Sequence, residues 1–269
     1  MSKRALVIVM AVLGVAILAA GVWLYDWVLG ETLEASQPVT AIPLLAEPES
    51  TPAGPSPTIV ETAGPAVAAE PTRLPETEAV GPTQEEQVSA SVSRFRISQE
   101  ESQARFTIFE ELNGQPTDVL GVTNQVAGEI EVNWTDLSQT RVGPITVNAR
   151  TLATDQDRRN QAIRNRILHT DSYEFVTFTP TVVSGLSGSA EPGQSYSFQI
   201  SGDLAIREIT QPVVFDATVS VESAERLRGL ASTTIMRSDY DLLIPSVPFV
   251  ANVGESVGLE IEFVLIPAS

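Results

Sequence analysis

The sequence contains no cysteine among its 269 residues. Disulfide bonds, thiolate metal sites and a thiol nucleophile are therefore excluded, and so is the lipid-modified cysteine of a lipoprotein. An exported domain of this composition must be held together by its core alone. About 175 residues remain once two N-terminal segments are set aside, which is enough to bury an adequate apolar core in one domain.

Positive charge is also scarce. Sixteen Lys and Arg residues stand against 34 Asp and Glu residues, the net charge is −18, and the one lysine is Lys3. Residues 91–269 contain 13 arginines and 23 acidic residues. A nucleic-acid-binding protein needs a concentrated basic surface that displaces counterions. We therefore expect no nucleic-acid partner.

Histidine is limited to His169, which restricts the available catalytic chemistry. A Ser-His-Asp triad would have to use it, and Ser187, in the run Gly-Leu-Ser-Gly-Ser, lacks the second glycine of a nucleophile elbow. We expect His169 instead to cap the C-terminal end of a helix. Asp155 and Asp157 resemble the start of a calcium loop, but Arg159 stands where a third oxygen ligand is needed. The sequence thus predicts a non-enzymatic protein without a metal or cofactor.

The N-terminus predicts a membrane segment. Lys3-Arg4 precedes an uncharged apolar run from Ala5 to Tyr25, long enough to cross a bilayer as a helix. We expect residues 1–30 to be a retained single-pass anchor, with the C-terminal domain on the extracytoplasmic side of the cell membrane. The alternative is a cleaved signal peptide, because Ala19-Ala-Gly21 supplies small residues for cleavage.

Residues 31–92 have the composition of a linker. Pro, Thr, Ala, Glu and Ser dominate, and ten of the eighteen prolines fall between residues 31 and 90. Such a chain buries too little apolar surface to fold and prefers extended conformations. We expect a disordered linker that carries the domain on the order of 100 Å or less from the membrane.

Residues 93–269 show alternation of apolar and polar residues with a period of two, which is typical of half-buried strands. About eight such segments are separated by turn signals at Asn113-Gly114, Gly143-Pro144, Ser184-Gly185, Glu191-Pro-Gly193, Gly229 and Asn252-Val-Gly254. Short connections predict an all-β domain with an antiparallel sheet. Such a sheet packs on itself as a sandwich or closes as a barrel, and the pattern alone leaves both open.

One helix interrupts the strands. Thr154 is a candidate N-cap, with Asp157 three residues later as in a capping box. Ile163 and Ile167 then fall on one face, and two arginines near the C-terminal end complement the helix dipole. The segment is predicted to be a lid with one apolar side.

A barrel of eight strands is filled by its own side chains or holds one small ligand. The alternating faces mix bulky rings with small residues, so that an internal channel fits the pattern. The side chains predicted to line it are Phe106, Ile108, Val132, Trp134, Ile145, Val147, Ile163, Ile167, Phe178, Phe198, Ile200, Leu204, Phe215, Val219, Leu259, Ile261 and Phe263.

Several separated pieces of the chain together resemble the YceI-like family. They are Thr154-Asp155, Arg158-Arg-Asn160, Ile167-Leu168, Asp171-Ser-Tyr-Glu-Phe-Val-Thr-Phe178, Ile200-Ser-Gly-Asp-Leu-Ala-Ile-Arg207, Val213 to Phe215, Ile235-Met-Arg-Ser-Asp-Tyr240 and Val253-Gly-Glu-Ser-Val257. The resemblance covers nearly all of residues 93–267. It implies an eight-stranded, antiparallel, lipocalin-like barrel that binds a polyisoprenoid or a similar long amphiphile in an exported protein.

The sequence departs from the family's pattern at several positions, and Leu168-His-Thr170 stands where the family often has two phenylalanines. Glu174 stands where the family often has Pro, and Glu208 and Asp241 stand where it often has Gly. We expect any difference in ligand to arise at the mouth of the barrel, which the helix borders.

Two functions fit the sequence. The first is non-enzymatic binding or carriage of a polyisoprenoid or an isoprenoid-quinone-like lipid. The second is an envelope interaction or structural module whose barrel is filled. Arg207 and Arg237 either pair with a carboxylate such as Asp203 or Asp239, or face an anionic head group.

Overall fold

The computed structural model describes residues 33–36, 39–44, 91–246 and 250–268, which belong to one compact unit. The anchor expected at residues 1–30 lies outside these residues, as does most of the expected linker. Across the described ranges, no helix has both the length and the apolar character needed to cross a bilayer.

The alternating segments form one antiparallel sheet of thirteen strands, which confirms the all-β class. The strands are β1 (Val92–Ile97), β2 (Gln103–Leu112), β3 (Gln115–Thr123), β4 (Val126–Ala127), β5 (Glu129–Asn133), β6 (Arg141–Val142), β7 (Ile145–Asn148), β8 (Phe175–Ser184), β9 (Ser195–Ile206), β10 (Ile209–Ser223), β11 (Arg226–Met236), β12 (Val250–Ala251) and β13 (Ser256–Pro267).

The sheet curls into a half-barrel around one apolar core, as in a lipocalin-like fold. Its main path runs β4-β7-β8-β9-β10-β11-β13-β1-β5-β6, and β2 pairs with β3, β12 and β13. One edge of β13 pairs with β11, while the other pairs first with β2 and then with β1. The interior face of the half-barrel is called the lumen here.

The expected number of eight strands is wrong, because local breaks divide longer runs. Gly128 separates β4 from β5, and a Cβ atom at this position would lie 2.4 Å from Cδ1 of Ile145. Gly143-Pro144 separates β6 from β7. Within β8 the register shifts between Pro180 and Val182, since proline cannot donate to the ladder.

Of the predicted turns, the one at Asn113-Gly114 is confirmed and the one at Gly229 is wrong. Asn113 and Gly114, with φ values of 53° and 75°, form the β2–β3 turn as predicted. Gly229 is not in a turn: it lies within β11, opposite Phe263 of β13. The absent side chain of Gly229 serves packing, not chain reversal.

The predicted helix is α1 (Asp157–Ala162), which continues as one π-helical turn, Ile163–Ile167. Its N-cap is Gln156, which makes no side-chain capping bond, so the prediction that Thr154 caps the helix is wrong. The Thr154 hydroxyl and N–H both donate to Oδ1 of the buried Asn160, at 2.8 and 2.6 Å. Short 3₁₀ turns occupy Leu137–Gln139, Ala149–Thr151 and Arg237–Tyr240.

The half-barrel has two ends. The helix end carries α1, the turn between β9 and β10, and the 3₁₀ turn Arg237–Tyr240. The loop end carries residues 185–194, between β8 and β9, and the 3₁₀ turn Leu137–Gln139. Residues 33–36 and 39–44, which the sequence assigns to the linker, lie against the outside of the half-barrel and are called the strap here.

Candidate ligand-binding site

Large and small side chains face each other across the strands of the lumen. Phe198 on β9 lies opposite Ala217 on β10, and Gly202 lies opposite Val213. Because opposite residues in an antiparallel pair lie about 5 Å apart, a ring can occupy the space that its small partner leaves free. This alternation gives the lumen an uneven interior.

An apolar cavity of about 90 Å³ lies in the lumen toward the loop end. Strands from both sides of the half-barrel line it, including Val132, Ile200, Val221 and Ala231. Its aromatic lining consists of Trp134, Phe178, Tyr196, Phe198, Phe215 and Phe263.

Glycines help to keep two of these rings away from the centre. A Cβ atom on Gly202 would lie 2.7 Å from the ring of Phe178, and one on Gly229 would lie 2.4 Å from the ring of Phe263. Each ring therefore rests over backbone that has no side chain. Phe178 also meets Phe215 edge to face, with ring centroids 4.9 Å apart. The rings are thus held by packing, which preserves the cavity between them.

The polar groups around the cavity are mostly committed to neighbours. Trp134 Nε1 donates to Ser93 Oγ at 2.8 Å, and Tyr196 Oη donates to the Ser189 carbonyl at 3.2 Å. Thr140 Oγ1 is buried and has no hydrogen-bond partner among the described residues. None of the described side chains that line the cavity is charged. The site therefore suits an uncharged, largely apolar group with one polar atom.

Ten of the seventeen side chains predicted to line the lumen border this cavity. They are Val132, Trp134, Ile145, Phe178, Phe198, Ile200, Phe215, Val219, Ile261 and Phe263.

The other seven lie outside the cavity lining, although each is buried or half-buried. They are Phe106, Ile108, Val147, Ile163, Ile167, Leu204 and Leu259. Ile163 and Ile167 belong to the helix, which closes the opposite end of the core. The helix therefore does not border this cavity, which lies at the loop end.

Twelve further lining residues were not predicted. Ile97, Ile130, Val142, Tyr196, Val221, Leu227, Ala231 and Leu265 lie on or at the ends of strands, where period-two alternation extended along the strand identifies many of them. Leu137, Thr140, Leu186 and Ala190 lie in turns or loops and have no periodic signal.

Ion pairs fasten the helix end. Arg159 Nη2 lies 2.7 Å from Oε1 of the buried Glu110, which joins α1 to β2. Arg207 pairs with Glu208 at 3.2 Å, and Arg237 pairs with Glu255 at 3.0 Å. Carboxylate pairing of both arginines is thus observed, but with partners other than Asp203 and Asp239.

Tyr240, in the 3₁₀ turn at the helix end, is 1% exposed. Burial, with a smaller contribution from the charge of Asp239, raises its pKa to about 12. The structure gives its hydroxyl no hydrogen-bond partner within the described residues. Tyr240 is therefore a core residue whose hydroxyl stays protonated.

A hydrolase site at His169 finds no support in the placement of the residues. His169 is exposed just beyond the π-helical turn at the helix end, with φ of 49°. Ser187 is exposed in the loop that follows the ten residues of β8, roughly 30 Å along the strand direction. In the described part of the chain, no group of three His, Asp or Glu side chains is placed to hold a metal ion.

Comparison with known families matches residues 95–265 to the YceI-like domain. Comparison with curated protein sequences gives no match.

The chain is similar to several solved structures with which it shares little sequence. A polyisoprenoid binding domain from Saccharophagus degradans, implicated in plant cell wall breakdown, has a TM-score of 0.52 and 13% identity, covering 65% of this chain and 98% of that one. BcnA from Burkholderia cenocepacia has a TM-score of 0.49 and 14% identity, covering 62% and 98%. A YceI protein from Campylobacter jejuni has a TM-score of 0.44 and 14% identity, covering 54% and 82%.

Proposed function

Because the chain belongs to the YceI-like domain family, we propose that it binds or carries a long-chain isoprenoid-like amphiphile in the lumen of its half-barrel, without catalysing a reaction. The observation that carries this proposal is the wholly uncharged lining of the cavity at the loop end. An ionised head group would lose its hydration there without gaining an opposite charge. The ligand is therefore neutral where it is buried, as a polyprenol or an isoprenoid quinone is.

Thr140 is the candidate polar contact for this ligand. A buried hydroxyl without a partner costs free energy, which a hydrogen bond to a ligand carbonyl or hydroxyl would recover. The other polar lining atoms are occupied by protein neighbours, as with Trp134 and Tyr196. One such contact orients a ligand, while burial of its chain supplies most of the affinity.

The volume of the cavity limits how much of a ligand it can hold. About 90 Å³ is less than the roughly 150 Å³ of an engineered cavity that admits benzene, so the space accommodates only a short piece of an isoprenoid chain. A longer chain needs the half-buried loop-end side chains, Leu186 and Ala190, to move outward. We place this opening motion in the loop of residues 185–194.

Mass spectrometry of an organic extract from the natively purified domain tests the proposal. We expect one long-chain neutral lipid for each protein molecule. Repeated purification that yields no lipid, together with a dry lumen at high resolution, would contradict the proposal.

The small cavity volume favours one alternative, an envelope interaction or structural module with a filled barrel. That alternative predicts the lipid-free result of the same extraction. It also predicts that substitutions in the cavity change stability without changing any bound molecule.

We further propose that the apolar N-terminal segment is retained as a single-pass anchor, which places the barrel on the extracytoplasmic side of the cell membrane. The support is the apolar run from Ala5 to Tyr25 behind Lys3-Arg4. N-terminal sequencing of the membrane-bound protein tests retention. A mature chain that begins near Ala20 would instead show cleavage.

A further inference from the structure

The strap is held by its backbone. Leu33 N donates to Asp171 Oδ1 at 2.9 Å, and Ser36 N donates to Glu174 Oε1 at 2.6 Å. Further along, Val39 N donates to Gln125 Oε1 at 3.4 Å, and Leu44 N donates to Glu129 Oε2 at 3.1 Å. Side chains of the half-barrel thus accept from four N–H groups spread along the strap.

The strap's carbonyl groups are matched as well. Arg150 Nη1 donates to the Glu34 carbonyl at 2.7 Å, Asn148 Nδ2 donates to the Ser36 carbonyl at 3.0 Å, and Gln99 Nε2 donates to the Val39 carbonyl. Pairing of both N–H and C=O groups is the way proteins recognise an extended peptide. The surface beneath the strap therefore has the hydrogen-bonding groups of a peptide-binding site, and it binds a segment of the same chain.

The buried Asn148 and Arg150 and the half-buried Glu174 form the centre of this site. Asn148 is fully buried, and the Arg150 side chain is 7% exposed. Glu174 accepts from Asn148 Nδ2 at 2.7 Å, and its Oε2 lies 3.4 Å from Arg150 Nη1. Arg150 Nη2 also donates to the Thr170 carbonyl at 2.6 Å, just beyond the helix. These groups tie the strap to the segment that follows the helix.

The strap begins at the helix end. Leu33 bonds to Asp171, and the adjacent Tyr173 and Phe175 are 37% and 40% exposed. Leu33 itself is 62% exposed, and Leu243, in the segment after the 3₁₀ turn at this end, is 74% exposed. Exposed apolar and aromatic side chains at the end of the fold where the strap begins suit a surface that meets a membrane.

The chain leaves little distance between this end and the apolar N-terminal run. Seven residues separate Tyr25 from Leu33. Fully extended, seven residues span at most about 25 Å. When the strap is docked, only the residues between Tyr25 and Leu33 separate the apolar run from the half-barrel. Residues 45–90 follow the strap in the sequence, so they do not add to the distance between the membrane and the half-barrel.

We infer that the strap holds the helix end of the half-barrel against the surface of a phospholipid bilayer. The inference rests on the proposed N-terminal anchor. The sequence alone predicts a domain carried away from the membrane by a long linker. The docked strap instead places the domain within about 25 Å of the membrane, with its exposed apolar side chains at the helix end toward the lipid.

Quenching of a fluorescent label by nitroxide head-group lipid tests this arrangement in the full chain. The protein is reconstituted in nanodiscs of zwitterionic phospholipid. Because the chain has no cysteine, Leu243→Cys labels the helix end alone and Ser187→Cys labels the loop end alone. We expect strong quenching at position 243 and little at position 187.

The strap itself is released by Ser36→Pro with Val39→Pro, which remove two of its N–H donors and leave the half-barrel unchanged. Quenching at position 243 should then fall to the value at position 187. Hydrogen exchange should show loss of protection at Leu33 and Leu44. The matched control, Ala68→Pro with Ala69→Pro, should retain both the quenching and the protection.

Two different failures are distinguishable. A chain retained in the nanodisc with equal quenching at both labels would overturn the strap inference and leave the anchor intact. A chain that does not enter the nanodisc would overturn both the anchor and the inference. Lipid binding in the lumen is measured separately, by extraction.

Discussion

The ring of Phe263 lies over Gly229, its register partner on the neighbouring strand. A Cβ atom on Gly229 would lie 2.4 Å from Cζ of Phe263 and 2.9 Å from the Thr218 carbonyl oxygen. Real Cβ atoms do not approach other atoms so closely, so that any side chain at position 229 forces the ring away from the strand. Because Phe263 lines the cavity, we expect the displaced ring to enter it.

Gly229→Ala should therefore destabilise the domain and reduce the cavity. We expect the free energy of unfolding to fall by about 1–3 kcal/mol, as for overpacked cores, with less ligand bound. Urea unfolding and lipid extraction measure the two effects. The matched control is Gly258→Ala on the adjacent β13, where the nearest atom would lie 3.8 Å away. Equal losses in the two variants would show that the ring contact is unimportant.

Ala231→Leu should block the site directly. Ala231 is 8% exposed and lines the cavity, so three added carbons occupy much of its volume of about 90 Å³. We expect the variant to fold and to be purified without lipid. Ser232→Leu is the control, because the next residue of a strand faces the opposite side. If Ala231→Leu retained its lipid, the cavity would not be the binding site.

Arg159→Gln should loosen the helix end. It removes the partner of Glu110, whose side chain is 8% exposed, and leaves that carboxylate buried without its counter-charge. Breaking such a pair costs about 3 kcal/mol. Chemical unfolding and hydrogen exchange in α1 measure the change. Arg226→Gln, which removes an exposed pair with Glu101, should leave both measurements near the wild-type values.

Strap docking should depend on pH through Glu174. Burial alone would raise the pKa of this carboxyl, but hydrogen bonds from Ser36 and Asn148 and the charge of Arg150 outweigh burial, so that the pKa lies below its ordinary value of 4.5. The hydrogen bonds from Ser36 exist only while the strap is docked, so docking favours the charged form of Glu174. This contribution is present while the carboxyl is charged and is lost as the pH falls through the lowered pKa.

Hydrogen-exchange protection of the strap amides, corrected for the intrinsic pH dependence of exchange, measures this loss. Glu174→Gln removes the charge and should give weaker protection with less change in acid. Protection that stays constant through the acid range in the wild-type chain would contradict a role for Glu174.

Tyr240 should make the domain sensitive to alkali. Its pKa is raised from 10.0 to about 12, so the unfolded chain loses this proton at a lower pH than the folded one. The contribution of Tyr240 is complete below pH 10.0 and is lost as the pH rises toward about 12. Thermal unfolding at several alkaline pH values should show this decline, and Tyr240→Phe should reduce it. An unchanged decline in Tyr240→Phe would assign the effect to other groups.

The strands were predictable because alternation is a local property. Segments such as Ser195–Ile206 and Ser256–Pro267 carry their pattern in consecutive residues. Gly229 was misassigned to a turn because its role is set by Phe263, 34 positions away in the sequence. Thr154 was misassigned as a cap because the helix begins only at Asp157, and the Thr154 hydroxyl accepts from Gln156 N at 3.3 Å, before the first turn.

The position of the cavity was less predictable. Alternation tells which face of a strand points inward, but it does not tell where along the lumen the side chains leave space. That depends on rings placed over glycines of other strands, as with Phe178 over Gly202. The strap gave no local signal at all, since its partners lie more than fifty residues away. One partner, Glu174, is a position at which the sequence departs from the family's pattern.

The void and the helix occupy opposite ends of the half-barrel, and this separation has a functional consequence. Thr140 and Ala231, which line the cavity, are not among the hydrogen-bond or ion-pair partners that the described residues give Arg150 and Glu174, which hold the strap. If both proposals hold, substitutions in the cavity can change the ligand without changing how the strap docks, and substitutions beneath the strap can change its docking without changing the ligand.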